Sequence, residues 1–282
     1  MDLSLHIKDS ESKYRDLLEK YFIGVFGETN LSSHDLDHHR RVWSYSKELL
    51  GLYDFIIPEE YDDYFVDKLL IASYLHDSGM SQDPGVRHGI HSRIFCERFL
   101  VKNSLEPAEF TDLLDTVTNH DRKEYQKKQE SSALFVYLSV ADDLDALGFT
   151  GIYRYIEIYL KRDIDLYDLG RLVISNVKER FDNFLYHFGK FPVLVEKHRS
   201  RFQTVMDFFE TYNKELENYD FGNETPAGNC GVADIIGCSV NRNMPLEGLY
   251  ELFKSFLNDQ AVSRFYKGLK RELTASGKSI GS

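Results

Sequence analysis

Three kinds of residue are scarce in this 282-residue chain, and each scarcity excludes something. Only three cysteines occur, Cys96, Cys230 and Cys238. They cannot build a disulfide framework or a paired-thiolate zinc site. Only six prolines occur, each beside a break in hydrophobic periodicity, and the long stretches between them suit helices. Basic residues are outnumbered 34 to 46, for a formal net charge of −12, which argues against a broad grip on polymeric nucleic acid or an anionic membrane. No apolar run approaches the roughly 18 residues of a membrane span. The N-terminal MDLSLHIKDSESKYRDLLEK lacks the basic start and apolar core of a signal peptide, so the expected location is the cytoplasm. Aromatic residues, by contrast, are plentiful, with 20 Phe and 18 Tyr to fill a core.

The periodicity is helical. Tyr14, Leu17, Leu18, Tyr21, Phe22, Val25 and Phe26 make one apolar stripe; Phe110, Leu113, Leu114 and Val117 make a second; Phe202, Val205, Phe209, Tyr212 and Leu216 make a third. Strict alternation over a strand length is rare. The pattern predicts an all-α fold with about ten helices, over 11–27, 37–53, 60–76, 88–102, 107–120, 131–147, 149–162, 166–188, 192–219 and 246–271. The Gly- and Asn-rich segment 220–244 carries no stripe and reads as a long loop. The expected organisation is a core of residues 1–220 followed by a loop and helical extension, 221–282. Leu246, Leu249, Phe253, Phe256 and Leu257 in that extension suit packing on their own core or on a second copy of the chain.

Ten histidines are present, several beside aspartates. His76-Asp77 closes the apolar helical run Ile71-Ala72-Ser73-Tyr74-Leu75 and precedes Ser78-Gly79. Neighbours on a regular helix diverge by about 100°, so such a pair can share an ion only where the helix ends. The bland alternative is a capping Asp beside a surface His. The order of the set adds weight: His38 lies upstream in a helix start, His38-x-x-Arg41-Val42, and Asp142 downstream in Ala-Asp-x-Leu-Asp-Ala-Leu-Gly.

In these residues the chain resembles the HD-domain metal-dependent phosphohydrolases, with their H…HD…D ligands on an all-helical core. HDLDHHRRV is similar to the HDxxHxxRV opening of many members, and ADDLDALGFTGIYR to the ADRLDALGAIGIAR stretch of one bacterial branch. The segment from Ser175 to Leu216 is similar in layout to that branch's C-terminal helices, so the resemblance spans roughly residues 30 to 218. It implies His38, His76, Asp77 and Asp142 as ligands of one divalent ion. Two imidazoles and two carboxylates suit Mn, Fe, Mg, Co or Ni with open positions. Such an ion polarises a phosphoryl oxygen and lowers the pKa of a water that attacks phosphorus. The expected activity is hydrolysis of a phosphoester or phosphoanhydride, most suitably of a nucleotide. The alternative is a non-catalytic module of the same fold that binds a nucleotide or partner and keeps a structural metal.

The segment after the pair, SGMSQD, departs from named subfamilies. It lacks the Glu-Asp pair of alarmone hydrolases, the HDxGK and later GYP of the cyclic-dinucleotide branch, and the Glu of five-prime nucleotidases, where Ser81 stands.

Further candidates carry two readings each. Arg41 holds phosphate or supports Asp77, or it makes a structural ion pair. His88 and His91 recruit a second metal or contact substrate, or they decorate a polar helix start, with His91 preferred for a substrate role. His120 touches phosphate or protonates the leaving oxygen, or it is a core histidine. Arg154 and Lys178 contact phosphate or are solvated. His34 and Asp35 cap or position the helix of His38. Asp143 is solvated or bonded to a ligand His, and Asp145 is structural.

Overall fold

Every residue of one helix, Phe65–Leu75, is buried, and the first half of the chain is built around it. The computed structural model describes residues 3–27, 29, 31–52, 64–121, 132–222 and 225–278. Among these the chain is all-α, with no strand. The helices are α1 (Leu3–Phe26), α2 (Leu36–Leu50), α3 (Phe65–Leu75), α4 (His88–Lys102), α5 (Thr111–Asn119), α6 (Ala133–Asp145), α7 (Gly148–Lys161), α8 (Leu166–Phe188), α9 (Pro192–Glu215), α10 (Gly228–Asn241), α11 (Leu246–Lys254) and α12 (Gln260–Lys278).

The chain divides into two compact units. The first comprises residues 1–29 and 34–142, the second 30–33 and 143–282. In the first, α3 packs on α1, α2, α4 and α5. A helix that is apolar all round belongs in a core. Its two charged residues are buried only with partners: Asp67 accepts from Ser10 Oγ, and Lys68 Nζ donates to Asp112 Oδ2 at 3.0 Å. In the second unit, α9 packs on α7 and α8, and α10 packs on α7, α9, α11 and α12.

Several sequence expectations need correction. The segment 220–244 is no loop: it contains α10, whose residues 230–237 are all buried. Burial on every side leaves no polar face and hence no amphipathic stripe to read. Its small residues allow close packing; a β-carbon on Gly231 would stand 2.6 Å from the Pro226 carbonyl carbon. The contacts of α10 and α12 with α7 and α9 also make 221–282 part of the second unit, so the division falls after Asp142 and not at 220. The expected helix 246–271 is two, α11 and α12. Helix α1 begins eight residues earlier than expected, and its buried line is Leu18, Phe22 and Phe26, with Leu17 43% exposed. The start of the expected helix 60–76 lies outside the described residues at 60–63.

Leu69 on α3 is fully buried, whereas Val101 on α4 is 64% exposed. Leu69→Ala should cost about 2–5 kcal/mol through lost contact and a residual cavity. Val101→Ala should stay within about 0.5 kcal/mol. Urea denaturation of the two variants checks the contrast.

Candidate metal centre

Residues at or near the ends of five helices supply the candidate site, all of them within the first unit. His38 lies in the first turn of α2, His76 is the C-cap of α3, His88 opens α4, His120 is the C-cap of α5, and Asp142 sits in the last turn of α6. Asp77 follows α3 directly. The helix end expected at His76-Asp77 is therefore present.

Asp35 caps α2, accepting from the backbone N–H of Asp37 at 3.0 Å and of His38 at 3.2 Å. Two glycines permit the closest approaches. A β-carbon on Gly79 would stand 2.1 Å from the His88 carbonyl oxygen, and one on Gly89 would stand 2.4 Å from the Thr118 carbonyl oxygen. Gly79 brings the start of α4 to the His76-Asp77 turn, and Gly89 brings it to the end of α5.

Asp77 is the hub. Its Oδ2 lies 3.4 Å from His76 Nε2, 3.5 Å from His38 Nε2 and 3.8 Å from His34 Nε2. Its Oδ1 accepts from His120 Nε2 at 2.9 Å and lies 3.4 Å from His88 Nε2. Asp142 Oδ1 lies 3.9 Å from the Nε2 of both His38 and His76. His38, His76, Asp77 and Asp142 each offer a ligand atom, all within 4.8 Å of one another, and so do Asp77, His88 and His120. These buried groups could hold a metal ion, and the carboxylate of Asp77 belongs to both sets.

Three of the imidazoles are oriented through Nδ1. Nδ1 of His76 faces the Ser73 carbonyl at 3.2 Å, Nδ1 of His88 the Gly85 carbonyl at 2.6 Å, and Nδ1 of His120 the Val117 carbonyl at 2.8 Å. A carbonyl only accepts, so each Nδ1 carries hydrogen and each Nε2 is turned toward Asp77.

Burial alone would raise the Asp77 carboxyl, but the surrounding His76, His120 and His38 outweigh it and hold it well below the usual carboxylate range. Burial lowers His76. Burial also opposes the charge on His120, yet its hydrogen bond to Asp77, with the charges of Asp77 and Asp121, pushes it up to about 9. His39 was not among the residues read from sequence. It forms a third candidate group with His38 and His76, its Nε2 has no hydrogen-bond partner among the described residues, and burial drives it well below its ordinary value.

The four expected ligands are thus brought together, and His120 joins them through Asp77. Of the pair at the start of α4, His88 reaches the cluster; His91 is half-buried and in none of the three groups, against the preference for it. His88 and His91 differ because three residues on a helix turn a side chain about 60° away from its predecessor. His34 does more than precede a cap, since its ring reaches Asp77. Arg41 is buried on α2, and its charge acts on Asp35, the cap of its own helix.

Arg154 and Lys178 belong to the other unit. Arg154 is buried and donates to Asp145 Oδ2 at 3.2 Å, and Lys178 is exposed on α8. Asp143 is buried and not solvated: it accepts from Arg180 Nη1 at 2.8 Å and from Asn183 Nδ2 at 3.2 Å. A glycine beside a histidine at a helix start, as in His88-Gly89, was the available signal for preferring His88 to His91.

Comparison with protein-family models, with curated proteins and with solved structures gives no match. Among the described residues no helix is long and apolar enough to cross a membrane.

The raised value of His120 has a sign. In metal-free protein its ion pair with Asp77 stabilises the fold fully below about pH 6.5, the unfolded value, and is lost as pH rises through about 9. A metal needs the neutral ring. Binding of Mn²⁺ at the group of Asp77, His88 and His120 at pH 7 should therefore release about one proton, and the release should fade as pH rises through about 9. Calorimetry in buffers of different ionisation enthalpy counts it.

Proposed function

We propose that this chain is a metal-dependent phosphohydrolase of the HD type, acting on a phosphoester or phosphoanhydride, with a nucleotide as the preferred substrate class. One observation carries the reading: a buried carboxylate, Asp77, is ringed by imidazoles whose Nε2 atoms converge on it, three of them anchored through Nδ1. Hydrolytic sites for phosphate need concentrated positive charge and a way to deprotonate water. The resemblance in HDLDHHRRV and ADDLDALG supports the same reading.

The donor chemistry fits a divalent ion. It is all nitrogen and oxygen, without thiolate, which suits Mn²⁺, Fe²⁺, Co²⁺, Ni²⁺ or Mg²⁺. His38, His76, Asp77 and Asp142 would hold it, and Asp77, His88 and His120 could hold a second. Bound there, the ion would supply the charge that polarises a phosphoryl oxygen and acidifies water.

The chain's own residues do the rest. Asp77 orients the imidazoles and is the negative charge against which they are set. His120, on Asp77 Oδ1, serves as a ligand in this reading, in place of the leaving-group acid expected of it. His34 is in none of the three candidate groups while its Nε2 lies 3.8 Å from Asp77 Oδ2, which suits a group that carries a proton at Nε2. Arg41 supports the cap at Asp35 and through it the first turn that bears His38.

A second reading has its own observation. His38 and His76 are 0% exposed and Asp142 only 4%, a depth that suits a structural ion in a binding module.

Turnover separates the two. A panel of nucleoside mono-, di- and triphosphates and a phosphodiester reporter, assayed with each metal, should show hydrolysis with at least one. Asp77→Ala should abolish both turnover and metal retention at near-normal helix content. His34→Gln should retain metal and lose about 10²- to 10⁴-fold in kcat, as removal of a proton carrier does. Folded, metal-loaded protein with no turnover on any substrate favours the binding module.

A further inference from the structure

Within the second unit, residues of α7, α9, α10 and α12 line a cavity of about 320 Å³, at the small end of the roughly 300–1,000 Å³ of ligand pockets. Its floor is apolar. Phe265 is 1% and Phe208 7% exposed, and the centroid of the Phe265 ring stands 6.1 Å from that of Phe149 and 5.9 Å from that of Phe208. The Phe149 ring is seated against a glycine: a β-carbon on Gly268 would stand 2.4 Å from Phe149 Cδ2. Charges of both signs border these rings. Helix α9 contributes Asp207 and Glu215, and α12 contributes Arg264. The carboxylates are held by neutral donors. Asp207 Oδ1 accepts from Gln203 Nε2 at 2.7 Å, and Glu215 Oε2 accepts from the Cys230 backbone N–H at 2.8 Å. Among the described residues neither carboxylate is paired with a cation, and Arg264 has no hydrogen bond or ion pair.

We propose that this cavity binds a small zwitterion with an apolar body, an α-amino acid with a large apolar side chain. A wholly apolar ligand would take three charges out of water and return no partner, which is costly. A simple anion would meet Arg264 but face two carboxylates of its own sign. A simple cation would meet the carboxylates and repel Arg264. A zwitterion answers both signs. Its carboxylate accepts from the Arg264 guanidinium, a group whose planar fork matches a carboxylate with two parallel bonds. Its ammonium donates to Asp207. Glu215 is the lesser partner, because it already serves the Cys230 N–H, one of the donors that the first turn of α10 cannot satisfy internally. The apolar side chain lies on the phenyl rings, where an aromatic body gains edge-to-face or offset contact. The cavity belongs wholly to the second unit, so the inference stands apart from the metal centre.

The test is calorimetry on the full chain with four probes at millimolar concentration. L-Phenylalanine carries all three features. Phenethylamine lacks the carboxylate, 3-phenylpropanoate lacks the ammonium, and L-serine lacks the apolar body. L-Phenylalanine should bind, and each of the others should bind about tenfold or more weakly, the loss of a charge-assisted hydrogen bond or of the buried ring. Two variants locate the site. Arg264 and Asp207 are exposed, so Arg264→Gln and Asp207→Asn should keep wild-type helix content and melting temperature. Each should weaken L-phenylalanine about tenfold. Arg264→Gln should not weaken phenethylamine, which has no carboxylate to lose, and Asp207→Asn should not weaken 3-phenylpropanoate. Binding of phenethylamine or 3-phenylpropanoate as tight as that of L-phenylalanine overturns the zwitterion. L-Serine binding as tightly overturns the role of the rings. Wild-type affinity in both variants places the ligand elsewhere and overturns the site, as does the absence of L-phenylalanine binding by the folded wild-type chain.

Discussion

The burial of one negative charge organises the first unit. Asp77 has a side chain only 3% exposed. Removing a carboxylate from water costs several kcal/mol even after relaxation, so its surroundings must supply compensating charge and hydrogen bonds. They do so from both sides, with His34, His38 and His76 on Oδ2 and His88 and His120 on Oδ1. Each ring must come from a different direction, and short helices meeting end to end meet that requirement. A helix end also carries carbonyls without intrahelical partners. Ser73 and Val117 lie in the last turns of α3 and α5, and their carbonyls take the Nδ1–H of His76 and His120. The groups a helix end must satisfy and the groups an imidazole needs for orientation are the same groups.

That economy explains which parts of the fold can be read from residues in order. Helices with one wet face announce themselves: 88–102 and 166–188 are helical over the predicted spans. Helix α10 does not. With Cys230 through Gly237 buried on all sides, it has no alternation of polar and apolar to detect, and its glycines mimic a loop. The same small residues are what let it pack closely. The glycine signal for a turn and the glycine signal for helix contact are identical in one dimension. They separate only when the neighbouring backbone is in place.

The site divides in a similar way. His76-Asp77 and Asp142 were legible because helix ends and local context mark them. His88 was weighed against His91 and passed over, since spacing shows that two rings lie near one face but not which meets a third element. Gly79 and Gly89 decide it, by letting the start of α4 approach two other backbones at once. The partner of Asp143 was out of reach for another reason. Arg180 lies 37 residues away on α8, and an ion pair between helices leaves no periodic trace.

The acidity of the whole chain, −12 by formal count, describes a surface that disfavours polyanions. It says little about the cluster, where the balance is local. There the Asp77 carboxylate is held ionised well below its usual range, and a positive charge must stay beside it. Without a metal, the proton on His120 can supply that charge. A divalent cation drawing on the same Nε2 would take its place, because one ring nitrogen cannot both keep its proton and ligate. Such an exchange would replace one cation by another without leaving the carboxylate alone. The same buried charge that would be a liability in an ordinary core becomes the feature that selects for an occupant.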